Sequence, residues 1–183
     1  MDNILNKLYL NKQYASLYTD AESPDSFIFG CVLGLDDDVV SLGMFTPFGI
    51  YDGVRAFKRC LVFKVEYGDE YGKAMQLLVS HHYKTNTVGE IQEVNGDQYR
   101  FLLDYAKSNN RLVSVALNGN WEYDVIGFVK YISGDEVTFM QIDGEGYEDG
   151  FVSIFVDDIS EIQCDTEDER KRELLYEIRG RMK

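Results

Sequence analysis

The sequence predicts a mainly β chain with flanking helices, of the α+β class, made of one unit used twice. Three observations predict it. Aromatic residues are abundant, with 13 Tyr and 11 Phe against only 2 Pro, and aromatic and β-branched side chains suit a pleated, half-buried surface. The segment GIYDG at residues 49–53 has a near copy, GYEDG, at 146–150. Short apolar runs alternate with polar turn signals, and helical spacing appears only between these groups of runs.

The repeat extends well beyond the two short segments. Residues 30–78 set against 127–175 without a gap give ten identities over 49 positions, where about three are expected by chance. Among them are Gly30/Gly127, Val32/Val129, Gly49/Gly146, Asp52/Asp149 and Gly53/Gly150. Apolar character is also kept at unlike residues, as in Leu42/Phe139, Phe57/Ile154 and Val65/Ile162. Upstream, after a slip of one residue, YASLY (14–18) answers LVSVA (112–116).

The elements follow in order. DNILNKLYL predicts a helix over 2–10. Strands are expected over 13–19, 26–35, 38–46, 53–59 and 61–67, followed by a second helix. LDDDV (35–39) is a polar break between apolar runs and reads as a hairpin. In the second unit QYRFLLDYAKSN predicts a helix over 98–109, with Phe101, Leu102, Tyr105 and Ala106 at helical spacing. Its strands are expected over 111–117, 123–132, 136–142, 150–156 and 158–163, with ISGDEV (132–137) as the matching hairpin. The last helix has a capping box in Thr166 and Glu169. Acidic residues lie early in it and Arg179, Arg181 and Lys183 late, as the helix dipole favours. Leu174, Leu175 and Ile178 are its expected apolar face. The units are therefore 1–80 and 98–183, joined by a polar linker over 81–97 that holds a candidate short strand at 88–94. Each is small for an independent core, so the two are expected to pack together.

The formal net charge is −14. Such a chain repels nucleic acid unless its few cations cluster, and repels anionic membrane surfaces. Basic protein surfaces are the favoured partners. No run reaches the apolar length of a membrane span, and the first residues lack the pattern of a signal peptide. Cys31, Cys60 and Cys164 have no metal-type spacing and read as reduced thiols in a cytoplasmic protein.

A helix followed by five short, bent antiparallel strands resembles the Sm-like small barrel. FGCVLGLDDDVVSLGMF (29–45) is similar to the first Sm motif at Gly30, Val32, Leu35 and Asp36. IGFVKYISGDEVTFMQI (126–142) matches it at Gly127, Val129 and Ile132, with Ser133 in the place of the Asp. The layout is also similar to bacterial proteins that carry a YDG segment between strands three and four. A tandem SH3-like barrel gives the same pattern and stays open. The resemblance implies two tandem five-stranded barrels and association through their edge strands. RNA-binding members of the family use an Asp-x-x-x-Asn hairpin and an Arg-Gly or Lys-Gly pair between strands four and five. Here Val40 and Val137 stand where the Asn would be, and neither strand 4–5 region has the cation–Gly pair.

Candidate site residues are few. Asp52-Gly53 and Asp149-Gly150 form a repeated turn dipeptide that also places one carboxylate in each unit. Trp121 is either a partner anchor or a cover for the open end of a barrel. Arg55, Lys58 and Arg59, with Phe57 between them, form the one basic stretch with an aromatic and the place to look for nucleic acid. The Asp36–Asp38 run, the acidic loop over 143–150 and the pair His81-His82 lack the ligand order of a metal site. No nucleotide fingerprint or nucleophile elbow is present. The sequence thus points to a protein without catalytic residues, cofactor or metal. It would act by protein contacts or self-association, in a scaffold, adaptor or immunity role. Sm-type RNA binding is the alternative, disfavoured by the charge and the missing motif residues.

Overall fold

The computed structural model describes residues 1–83, 93–118 and 123–181. The chain divides into two compact units, Met1–Gln98 and Tyr99–Lys183. The first begins with α1 (Asp2–Leu10), continues through β1 (Tyr14–Tyr18), β2 (Ile28–Leu35), β3 (Val39–Phe45), β4 (Tyr51–Lys58) and β5 (Lys64–Glu66), and closes with α2 (Glu70–Tyr83). The second repeats the plan with α3 (Gln98–Asn109), β6 (Leu112–Leu117), β7 (Val125–Ser133), β8 (Glu136–Ile142), β9 (Glu148–Phe155), β10 (Ile159–Cys164) and α4 (Glu167–Arg181). The fold is mainly β with four helices among the described residues. Within each unit every pairing is antiparallel. The orders are β5-β1-β2-β3-β4 and β10-β6-β7-β8-β9. Among the described residues no ladder joins β4 to β5 or β9 to β10, so by its hydrogen bonds each unit is an open five-stranded sheet. The antiparallel strands expected from the sequence are present in both units, and these ladders do not close either into a barrel.

The two units agree down to single backbone torsions. Gly49 and Gly146 have φ of 75° and 83°, and Gly53 and Gly150 both have 78°. Lys12 and Asn110, at the turn from the first helix, have 48° and 49°. Gly68 and Asp165, before the last helix, have 74° and 64°. The second strand slips register between Val32 and Gly34 in one unit and between Val129 and Tyr131 in the other. Such bulges bend a strand and increase its twist. The turn over 46–50 is held by the Thr46 hydroxyl, which accepts from Phe48 and Ile50 N–H, both at 3.3 Å. At the matching place the Asp143 carboxylate accepts from Glu145 and Tyr147 N–H at 3.0 and 2.8 Å. Gly30 and Gly127 are needed for contact: an added Cβ would lie 2.3 Å from the carbonyl oxygen of Gly43 or Met140.

The first core gathers Leu5 and Leu8 of α1, Leu17 of β1, Val40 and Leu42 of β3, and Phe57 of β4, all fully buried. Each such side chain contributes about 1.5–3 kcal/mol of apolar burial. In α3 the inward face is Tyr99, Leu102, Leu103 and Ala106, so the helix is rotated from the expected face and Phe101 and Tyr105 are only half-buried. Helix α4 departs further. Leu174 and Ile178 are exposed, and it docks with Glu169 and Glu173, both buried. One half of the expected capping box is present, with Thr166 N–H donating to Glu169 Oε2 at 2.9 Å, and the Thr166 hydroxyl donates to the same oxygen. The end of the expected linker is anchored: Val94 is buried and its N–H donates to the Leu33 carbonyl at 3.0 Å. Most of the candidate strand over 88–94 lies outside the described residues.

Candidate functional site

Asp52-Gly53 and Asp149-Gly150 lie just inside β4 and β9, where the positive φ of each Gly sets the strand's entry. Asp52 is half-buried and Asp149 exposed. Arg59 is occupied structurally: its Nη1 donates to the Asp36 carbonyl at 2.6 Å and its Nη2 pairs with Asp2 at 2.9 Å. That ties the β2–β3 hairpin to the start of α1. Arg55 lies 5.8 Å from the ring centroid of Phe57, and Phe57 is fully buried in the first core. The aromatic of the basic stretch is therefore a core residue with no face open to a base. Lys58 is half-buried at the end of β4. Trp121 lies outside the described residues.

The acidic segments are turn caps. Asp36 Oδ1 accepts from Asp38 and Val39 N–H at 3.0 and 2.7 Å. Among the described residues no group of three or more His, Cys, Asp or Glu is placed to hold a metal ion, and no helix is long and apolar enough to cross a membrane.

Beneath α4 lies a polar network. Arg111 pairs with Asp165 and, at 3.0 Å, with Glu173. Glu173 also accepts the Leu112 N–H at 2.6 Å. Burial raises the Glu173 carboxyl above its ordinary range, against the pull of the Leu112 N–H and Arg111. Cys164 beside it is pushed well above the usual thiol value, first by burial and then by the neighbouring carboxylates. Arg111, Asp165 and Glu173 are spent on holding this end of α4 to the start of β6, and a thiol as fully buried as Cys164 is no nucleophile.

The feature that packing leaves unexplained is β9. Among the described residues it has one neighbour in its sheet, β8. Its start is pinned by α4: Arg179 stacks on the Tyr147 ring at 4.0 Å and donates to its hydroxyl at 2.7 Å, and Tyr176 donates to Glu148 at 2.9 Å. Beyond Gly150 the strand opens, with Phe151 68% and Phe155 54% exposed. Tyr131 of β7 lies in the same cross-strand row as Thr138 and Ser153 and is also exposed. Tyr131, Phe151 and Phe155 thus form one apolar face along an end strand. In β4, the matching strand, Val54, Ala56 and Phe57 are fully buried. A long edge with exposed aromatic residues is a template for another strand. The sequence reading did not single out this face, because an apolar run does not tell an end strand from a central one.

No protein-family model, curated protein or solved structure matches the chain.

Proposed function

We propose that the protein is a non-catalytic binding or scaffold protein of two Sm-like units, acting by strand addition at the outer edge of β9. The Sm-like reading is supported by a helix ahead of five bent antiparallel strands, by the order β5-β1-β2-β3-β4 and its repetition, and by the close-packed Gly30 and Gly127. The observation that carries the functional reading is the exposed aromatic face of β9 on an end strand.

The occupant that fits first is a second copy of the chain. Among the described residues β5 has only β1 as neighbour, so pairing β9 of one copy with β5 of the next supplies what each strand lacks. Such a heterologous contact builds rings or filaments. With a net charge of −14, copies repel at long range, and added salt strengthens the contact by screening. A strand from a basic protein, as in an adaptor or immunity role, would use the same edge.

Hydrogen exchange tests this. Peptides covering 151–155 should gain protection as protein concentration rises, while those of β8 do not change. Exchange in β9 that is independent of concentration would remove the self-association reading.

A further inference from the structure

The first unit contains a cavity of about 400 Å³, and the repeat explains its origin. On one cross-strand row Tyr14 of β1 faces Cys31 of β2, which faces Gly43 of β3. The same row in the second unit is Leu112, Phe128 and Met140. There the three are buried and packed together, with the Phe128 ring against Tyr176 at 5.3 Å. A thiol and a hydrogen therefore stand in the first unit where a phenyl ring and a thioether chain fill the second.

The walls around this hollow are aromatic. Phe45 meets Tyr14 edge-on at 5.5 Å and 61°, and Tyr51 at 5.9 Å and 73°. The matching residues, Leu112, Ile142 and Glu148, offer no ring. Two charges of opposite sign also line the cavity. One is Lys12, whose φ of 48° is a left-handed conformation that suits the Asn at the matching turn better than a Lys. The other is Glu93, which accepts from the Tyr9 hydroxyl at 3.4 Å. The volume lies in the range of small-molecule sites, and aromatic rings prefer edge-to-face partners such as these walls provide.

We propose that this cavity is a binding site for a small aromatic zwitterion of the free aromatic amino acid class. Its ring lies among Tyr14, Phe45 and Tyr51, its carboxylate faces Lys12 and its ammonium faces Glu93. Burial keeps the Cys31 thiol protonated, with Lys12 opposing, so Cys31 serves as space and contact.

The test uses the full chain with five probes: L-phenylalanine, L-tyrosine, L-tryptophan, 3-phenylpropionate and phenethylamine. At least one amino acid should raise Tm in a saturable way, and the acid and amine that lack one charge should raise it less. Filling the cavity with the residues of the second unit, in C31F and in C31F/G43M, should abolish the shift. A second readout needs no variant. The bound amino acid should slow alkylation of the half-buried Cys31 and leave the exposed Cys60 unchanged. The proposal is overturned if no amino acid shifts Tm or protects Cys31, if the one-charge probes match the amino acids, or if a folded C31F/G43M retains the full shift.

Discussion

Replacing Glu169 by Ala should unfasten α4. The side chain is fully buried and its carboxylate accepts four hydrogen bonds: from Ser114 Oγ at 2.6 Å, Gln163 Nε2 at 3.0 Å, Thr166 N–H at 2.9 Å and Thr166 Oγ1 at 2.5 Å. Hydrogen bonds to a charged group contribute about 1.5–3 kcal/mol each. They are not additive, but deleting their common acceptor strands several buried donors at once, and each donor left unsatisfied costs about 1–3 kcal/mol. The first unit supplies the control. Its helix α2 is capped by Asp69, which accepts from Gly72 N–H at 3.1 Å, and loss of a simple cap costs about 1 kcal/mol. Urea unfolding followed by hydrogen exchange in peptides of each unit separates the two effects, since a chain of two units need not unfold in one step. E169A should lower the midpoint of the second unit far more than D69A lowers that of the first, with E169Q in between. Equal losses would refute the assignment of the network as the anchor of α4.

Three further outcomes are expected. Cys164 has a folded pKa raised well above its unfolded value, so its contribution to stability is complete below the unfolded value and is lost as pH climbs past about 8.5. The urea midpoint of the wild type should therefore fall more steeply on the alkaline side than that of C164A. G150A places a side chain at φ 78° with open space around it, for about 1–2 kcal/mol. G146A adds to the same strain a contact of 2.6 Å with Leu175 Cβ and 2.8 Å with the Tyr176 nitrogen, so it should lower thermal stability more. Uridine-rich RNA titrated at low salt, where the phosphate attraction is strongest, should give no anisotropy change, and saturable binding there would restore the Sm-type RNA reading.

Much of the fold was legible because local chemistry decided it. The paired glycines at 49/146 and 53/150 marked positions whose backbone needs positive φ, and the apolar runs between them gave ten strands within a few residues of their observed ends. The sequence missed features decided by partners distant in the chain. Leu174 and Ile178 have helical spacing, yet α4 turns Glu169 and Glu173 inward because Arg111, Ser114 and the Leu112 N–H wait there. Phe57 between two cations looked like a stacking residue and is core. Phe151 and Phe155 stand in an apolar run and are exposed, because nothing in such a run tells an end strand from a central one. The cavity could have been suspected from the repeat alone: Cys31 and Gly43 are small where Phe128 and Met140 are large. Only the cross-strand register places both substitutions in one row.

Sedimentation velocity over a wide range of protein concentration, on the wild type and on F151E/F155E, tests the β9 edge most directly. Both side chains are exposed, so the variant should fold as the wild type does. The wild type is expected to assemble as concentration rises, more readily at higher salt, and the variant to stay monomeric. A wild type that is monomeric throughout, or a variant that assembles equally well, would contradict association through β9.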